Sequence, residues 1–187
     1  MHNIGNPATE VDAAGTQHLL YPAYGAGGVY YGQCGASCKD DGDVRAVEIA
    51  TNETVTNAML ALGPDGKPRI LLSTFSQIFY ATCNDDCTRR EAWNLSRLAK
   101  HDGNFEVSGE AFAIAPDGTP AFLMHIWRAK IYGQKPPATY YVSCPDGDCA
   151  DSERWKAAKI ADQIWQESSL RFDAQGHPRV ATVADLA

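Results

Sequence analysis

The chain has 187 residues, 44% hydrophobic and 21% charged, enough for one domain with a substantial core and too apolar for a disordered segment. Its net charge is −7 and its 16 Lys and Arg are scattered, which excludes the clustered basic surface that nucleic acid or an anionic membrane requires. No apolar run approaches the roughly 18 residues of a membrane-spanning helix. The start MHNIGNPATE has neither the basic nor the apolar region of a signal peptide, as expected of a secreted product without its leader or of a fragment of a longer chain.

In chain order, the first predicted elements are a strand running into the turn VDAAG (11–15), a second strand HLLY (18–21), a third VYYGQC (29–34), and a fourth holding Val44 and Ile49. The same four return as LGPDGKP (62–68), RILLS (69–73), IFYATC (78–83) and a strand with Trp93 and Leu98. They return again as IAPDGTP (114–120), AFLMH (121–125), TYYVSC (139–144) and a strand with Trp155 and Ile160. A fourth unit holds two strands, around FDAQGHP (172–178) and RVATV (179–183). The turn glycines are Gly15, Gly66, Gly118 and Gly176. Four residues before them stand Val11, Leu62, Ile114 and Phe172, and six before stand Thr9, Leu60, Phe112 and Leu170. That period of two marks strands with one buried face, and places Leu62, Ile114 and Phe172 in the core. Aspartate-glycine between two apolar runs signals a hairpin, and aromatic, β-branched runs signal strands. RREAWNLSRLAK (89–100) and SERWKAAKIADQIWQ (152–166) carry helix formers, but the repeat register assigns both to fourth strands.

Four antiparallel strands per roughly 50 residues is the unit of a β-propeller blade. The fold expected is therefore all-β, an open arc of about three and a half blades at 7–50, 55–100, 107–162 and 168–187, where complete rings close with about four to eight. The units resemble the blade repeats of secreted bacterial β-propellers of the broad sialidase-like or BNR-like kind, in which an Asp-Gly-Xaa-Pro turn precedes a Tyr-rich strand. Asp117 and Gly118 are adjacent and no Trp follows, unlike the Asp-box of true sialidases, so the resemblance implies architecture and carries over no glycosidase residues.

Six cysteines fall in local pairs, Cys34 with Cys38, Cys83 with Cys87 and Cys144 with Cys149. Read with the repeat, they are disulfides that pin the outer strands, and they place the chain in a secreted or periplasmic compartment. Zinc is disfavoured because equivalent pairs on neighbouring blades stand too far apart to share an ion. Asp40, Asp41, Asp43, Asp85, Asp86, Asp146, Asp148 and Asp151 crowd the same turns and read as solvated tips; none fits a calcium-loop pattern, and no metal or cofactor is expected.

The repeated tyrosines and tryptophans read as packing residues, so the ligand-binding candidates lie outside the repeat. IWRAKIYGQKPPA (126–138) lengthens the third unit and gathers Trp127, Arg128 and Tyr132; His125 stands at its edge, near the central channel. No nucleophile elbow, HExxH or phosphate loop is present. The function expected is an extracytoplasmic binding module for a glycan or protein rather than an enzyme, with further blades from a longer parent chain or a second chain. The alternatives are a fragment of a propeller enzyme such as a glycosidase, or a structural half-propeller completed by another chain.

Overall fold

All four glycine turns close in the same way. The glycine N–H donates to the carbonyl three residues back, Gly15 to Asp12, Gly66 to Gly63, Gly118 to Ala115 and Gly176 to Asp173, at 2.9–3.0 Å. Within each turn the glycine alone takes a left-handed φ, at 81°, 72°, 91° and 80°, a region costly for side-chain-bearing residues. A carboxylate completes each turn from one of two positions. Asp12 Oδ1 accepts from the Ala14 and Thr16 N–H groups, and Asp173 Oδ1 from Gln175 and His177. In the other two turns the acid precedes the glycine, and Asp65 and Asp117 accept from the Lys67 and Thr119 N–H groups.

The computed structural model describes residues 7–22, 28–51, 53–74, 76–100, 105–128, 138–165 and 167–182. The first sheet is β1 (Ala8–Val11), β2 (Gln17–Pro22), β3 (Gly28–Cys34) and β4 (Arg45–Ala50). The second is β5 (Val55–Leu62), β6 (Pro68–Thr74), β7 (Gln77–Cys83) and β8 (Trp93–Lys100). The third is β9 (Phe105–Ile114), β10 (Pro120–Arg128), β11 (Ala138–Ser143) and β12 (Lys156–Ala161). The fourth is the hairpin β13 (Ser169–Phe172) and β14 (Pro178–Ala181). Within every sheet the strands follow chain order and pair antiparallel. The two segments with helix-forming composition each make one 3-10 turn, at Arg90–Ala92 and Ser152–Arg154, before entering β8 and β12. The fold is an all-β propeller of about three and a half blades.

Consecutive sheets stack through their innermost strands: β5 packs on β1 and β2, β9 on β5, and β13 on β9. The core is correspondingly divided into three clusters, one per interface. Strand β6 shows how alternation serves two of them. Ile70 and Leu72 enter the cluster with Leu20 and Tyr31, while Leu71 enters the cluster with Phe112 and Phe122. Because sheets cover both its faces, the period-2 pattern of β6 becomes a nearly continuous buried run.

An aromatic pair recurs at the interfaces. Tyr31 meets Trp93 edge-on at 4.9 Å between ring centroids, and Tyr80 meets Trp155 at 5.1 Å. Each tyrosine stands three residues before the first cysteine of its own sheet; Trp93 opens the fourth strand of the next sheet and Trp155 immediately precedes it. The three disulfides form within their turns, Cys34–Cys38, Cys83–Cys87 and Cys144–Cys149, with Cα separations of 5.6, 5.7 and 5.8 Å. Trp93 Nε1 donates to the Cys87 carbonyl at 2.9 Å and Trp155 Nε1 to that of Cys149 at 3.0 Å, so the cross-linked turn fixes the indole that the neighbouring sheet packs against.

The core positions correct one expectation from the sequence. Leu62, Ile114 and Phe172 are half-buried and Val11 is 58% exposed, whereas Leu60, Phe112 and Leu170, two residues deeper in their strands, are buried. The residues next to the turn sit at the end of the sheet with no rung beyond them, and the deeper ones have neighbours on both sides.

Replacing Trp155 with Ala is expected to cost about 3 kcal/mol, since it empties a packed aromatic site. Tyr30→Ala, on a side chain 38% exposed, should stay within about 0.5 kcal/mol. Urea unfolding midpoints of the two variants check the difference.

Candidate functional site

The four innermost strands converge on a cleft of about 600 Å³ lined by β1, β5, β9 and the start of β13. Its polar side chains are Glu10, Asn57, Glu110, Ser168, Ser169 and Arg171. The geometry is most specific at Glu110. Five residues after each turn glycine, the second strand pairs with Ala8, Met59, Glu110 and Ser169 in successive sheets, so one rung around the cleft carries a single carboxylate. A β-bulge in β9 produces this placement. Ala121 pairs with Ala113 but Leu123 pairs with Glu110, leaving two residues against Phe122. Within the bulge Ala111 takes φ 51°, which costs an alanine about 1–2 kcal/mol. Bulges re-aim side chains, and retained backbone strain concentrates at functional sites.

Glu110 is half-buried, and loss of hydration raises its carboxyl above the usual range, opposed by a hydrogen bond from Asn57. Asn57 Nδ2 also donates to the Gly109 carbonyl at 3.2 Å, and the Gly109 N–H donates to Ser73 Oγ at 2.9 Å. These bonds fix the backbone beside the carboxylate against the second sheet. A Cβ at position 109 would lie 2.8 Å from Leu71 Cδ2, inside the core, so this close approach requires glycine.

The residues singled out in the sequence occupy a different place. His125 lies in β10, paired with Ser108 and Thr139, and is 3% exposed. Burial lowers its pKa to about 4, so it is neutral at physiological pH. Thr139 Oγ1 donates to the Gln163 carbonyl at 2.7 Å and accepts from the Trp165 N–H at 3.2 Å, tying this rung to the connection toward the fourth sheet. Strand β10 continues through Trp127 and Arg128, which the sequence pattern assigned to an inserted loop, because they pair with Glu106 and Phe105 of the long strand β9. Tyr132 lies outside the described residues. His125 does not line the cleft.

His18, the other strand histidine, is structural. It is buried, its Nδ1 lies 2.6 Å from the Tyr31 hydroxyl, and its Nε2 is 3.6 Å from Asp12 Oδ2. Arg69 takes the equivalent position in the second sheet, bonded to Asp65 at 3.1 Å and to the Tyr80 hydroxyl. Burial raises the pKa of both tyrosines, Tyr80 to about 12, so both hydroxyls stay protonated, and that of Tyr80 accepts from the Arg69 guanidinium.

Four of the acidic residues in the cysteine turns cap the backbone. Asp40 accepts from the Gly42 N–H, Asp43 from Lys39, Asp86 from Thr88 and Asp151 from Glu153. Among the described residues no group of three or more His, Cys, Asp or Glu is placed to hold a metal ion.

Glu110, Asn57 and Arg171 were not evident from the sequence. Counting back from the turn glycine sets Glu110 level with Ala58, and only the bulge moves it level with Met59.

No known protein family and no curated protein matches the chain. Among solved structures, it is similar to an endo-arabinase from Bacteroides thetaiotaomicron VPI-5482, with a TM-score of 0.54 and 14% identity over 95% of this chain and 74% of that one. The likeness is one of fold.

His125 dictates a pH dependence. Its folded pKa, about 4, lies below the ordinary 6.5, so the unfolded chain takes up the proton first. Its contribution to stability is complete above pH 6.5 and is lost as pH falls toward 4. His125→Gln should flatten this part of the stability profile, measured by urea unfolding across that range.

Proposed function

We propose that this chain is the recognition part of an extracytoplasmic β-propeller of the sialidase-like, BNR-like kind, and that a glycan binds in its central cleft. The observation that carries the reading is the rung of Ala8, Met59, Glu110 and Ser169, where one sheet turns a half-buried carboxylate to the cleft at the cost of a strained bulge. Carboxylate, amide, hydroxyl and guanidinium groups supply the donors and acceptors that sugar hydroxyls pair with. An extended protein segment is the other ligand class compatible with a cleft of this size. Three disulfides support an oxidising, extracytoplasmic setting. The connection after Arg128 leaves from the sheet end opposite the glycine turns, and Trp127, Arg128 and Tyr132 are proposed to extend the binding surface there. His125 supports that surface from beneath as a buried strand residue.

A second reading has specific support. A carboxyl with a raised pKa can act as the proton donor in glycoside cleavage, and the similar fold belongs to an endo-arabinase. Glu110 would then be the acid, with Glu10 the other carboxylate that lines the cleft.

Glycan-array binding followed by calorimetry on the best ligand tests the first reading, with arabinan incubated alongside as a substrate. Recognition predicts binding without sugar release, weakened about tenfold or more by Glu110→Gln, a loss of the size expected for a hydrogen bond to a charged group. Sugar release by the wild type that Glu110→Gln abolishes would establish the hydrolase instead. Glycan affinity unchanged in both Glu110→Gln and the Trp127→Ala, Arg128→Ala double variant would contradict the cleft and its proposed extension.

A further inference from the structure

The fourth sheet carries half of a repeated interface whose other half can be specified. In the first three sheets the second strand is paired on both sides; among the described residues β14 is paired with β13 alone, and Pro178–Ala181 are exposed throughout. Three features mark what the open edge is shaped to receive.

The first is on β14 itself. Arg179 stands three residues after its turn glycine, as Arg69 does, and bonds Asp173 at 2.7 Å as Arg69 bonds Asp65. In the second sheet Arg69 also bonds the Tyr80 hydroxyl from the third strand and the Cys83 carbonyl at 3.3 Å, and its side chain is 16% exposed. The Arg179 side chain is 68% exposed. The second feature is Tyr141, the third member of the series Tyr31, Tyr80 and Tyr141. The first two are buried under a tryptophan of the following sheet, whereas Tyr141 is half-buried at the edge of the small cluster of Ala113, Ala121 and Leu170. The third is Ile160, eleven residues after the second cysteine of its turn. Its counterparts Ile49 and Leu98 are buried and half-buried, and Ile160 is 39% exposed.

We infer that β14 and Tyr141 together form a docking edge for a third and fourth strand of the pattern Tyr-Xaa-Xaa-Cys followed by Cys-Xaa5-Trp. Its tyrosine seats over Arg179 and its tryptophan seats on Tyr141, continuing the interface made by Tyr31–Trp93 and Tyr80–Trp155. The occupant is a strand pair of that chemistry. A second copy could fill the edge only by lending a third and fourth strand such as β3 and β4, which would strip that copy of its own Tyr31–Trp93 contact. The inference rests on the fold and is independent of what the cleft binds.

The test extends the full chain after Ala187 with a copy of its own residues 76–100, which contain Tyr80, Cys83, Cys87 and Trp93. Amide hydrogen exchange of β14 should slow by at least about a hundredfold relative to the unextended chain, as expected when an exposed edge becomes a paired strand. Trp93→Ala within the appended copy, or Tyr141→Ala in the body, should remove most of that protection while the first three sheets keep theirs. Unchanged β14 exchange in the extended chain would overturn the proposal. So would equal protection from the Trp93→Ala copy, which would show strand addition without the aromatic seat. Concentration-dependent protection in the unextended chain would identify a second copy as the occupant and overturn it also.

Discussion

The edge-on contact between a tyrosine of one sheet and a tryptophan of the next is the interaction on which the rest of the structure depends. A four-stranded antiparallel sheet has two faces, and the second sheet must bury both. Aliphatic residues on alternating positions provide the area, but area alone does not fix the angle or height at which one sheet meets another. The aromatic pair does, because both rings are held from outside the interface. Tyr31 and Tyr80 are oriented by His18 and Arg69, which are themselves bonded to or placed beside the turn carboxylates Asp12 and Asp65. Trp93 and Trp155 are oriented by carbonyls of disulfide-closed turns. The disulfides thereby act at a distance from their own short loops. Closing a loop of so few residues removes modest unfolded-state entropy, and the larger consequence is a rigid seat for the indole.

The same stacking explains why the cleft exists. Sheets that pack through their innermost strands leave a space where those strands converge, and its lining is set by residues that would otherwise be ordinary core. In the first, second and fourth sheets the rung considered above holds Ala8, Met59 and Ser169. In the third, the bulge at Ala111 and Phe112 brings Glu110 to that rung, and Asn57 and Gly109 hold the backbone around it. A half-buried carboxylate opposed by a single amide and held by a left-handed alanine is a poor choice for stability alone, and it lines the cleft on which all four sheets converge, which is why the proposed function is placed there.

Much of the architecture was legible in the sequence because it is written four times. The turn glycines, the cysteine pairs and the Tyr-Xaa-Xaa-Cys register each recur, and the structure shows the four hairpins and the three bridges they imply. The helix-like composition of 152–166 yields to the repeat: after one 3-10 turn, Trp155 packs on Tyr80 and the chain enters β12 directly behind it. Legibility failed where the repeat is broken or where depth matters. Leu62 and Leu60 are equally apolar, and only the structure distinguishes the end of a strand from its middle. The bulge shifts β9 by one residue, so a register counted from Gly118 misplaces Glu110. Trp127 and Arg128 looked like loop residues because the repeat ends before them, but β9 is long enough to pair with them.

The most direct test of this account is a double-mutant cycle on Tyr80 and Trp155, using Tyr80→Leu, Trp155→Leu and the double variant, with stability measured by urea unfolding. If the edge-on contact governs how the second and third sheets meet, the two substitutions will be coupled by about 0.5–1.5 kcal/mol, the range for an aromatic pair beyond its buried area. Additivity within about 0.3 kcal/mol would contradict the account, leaving the sheets held by apolar area without an aromatic latch.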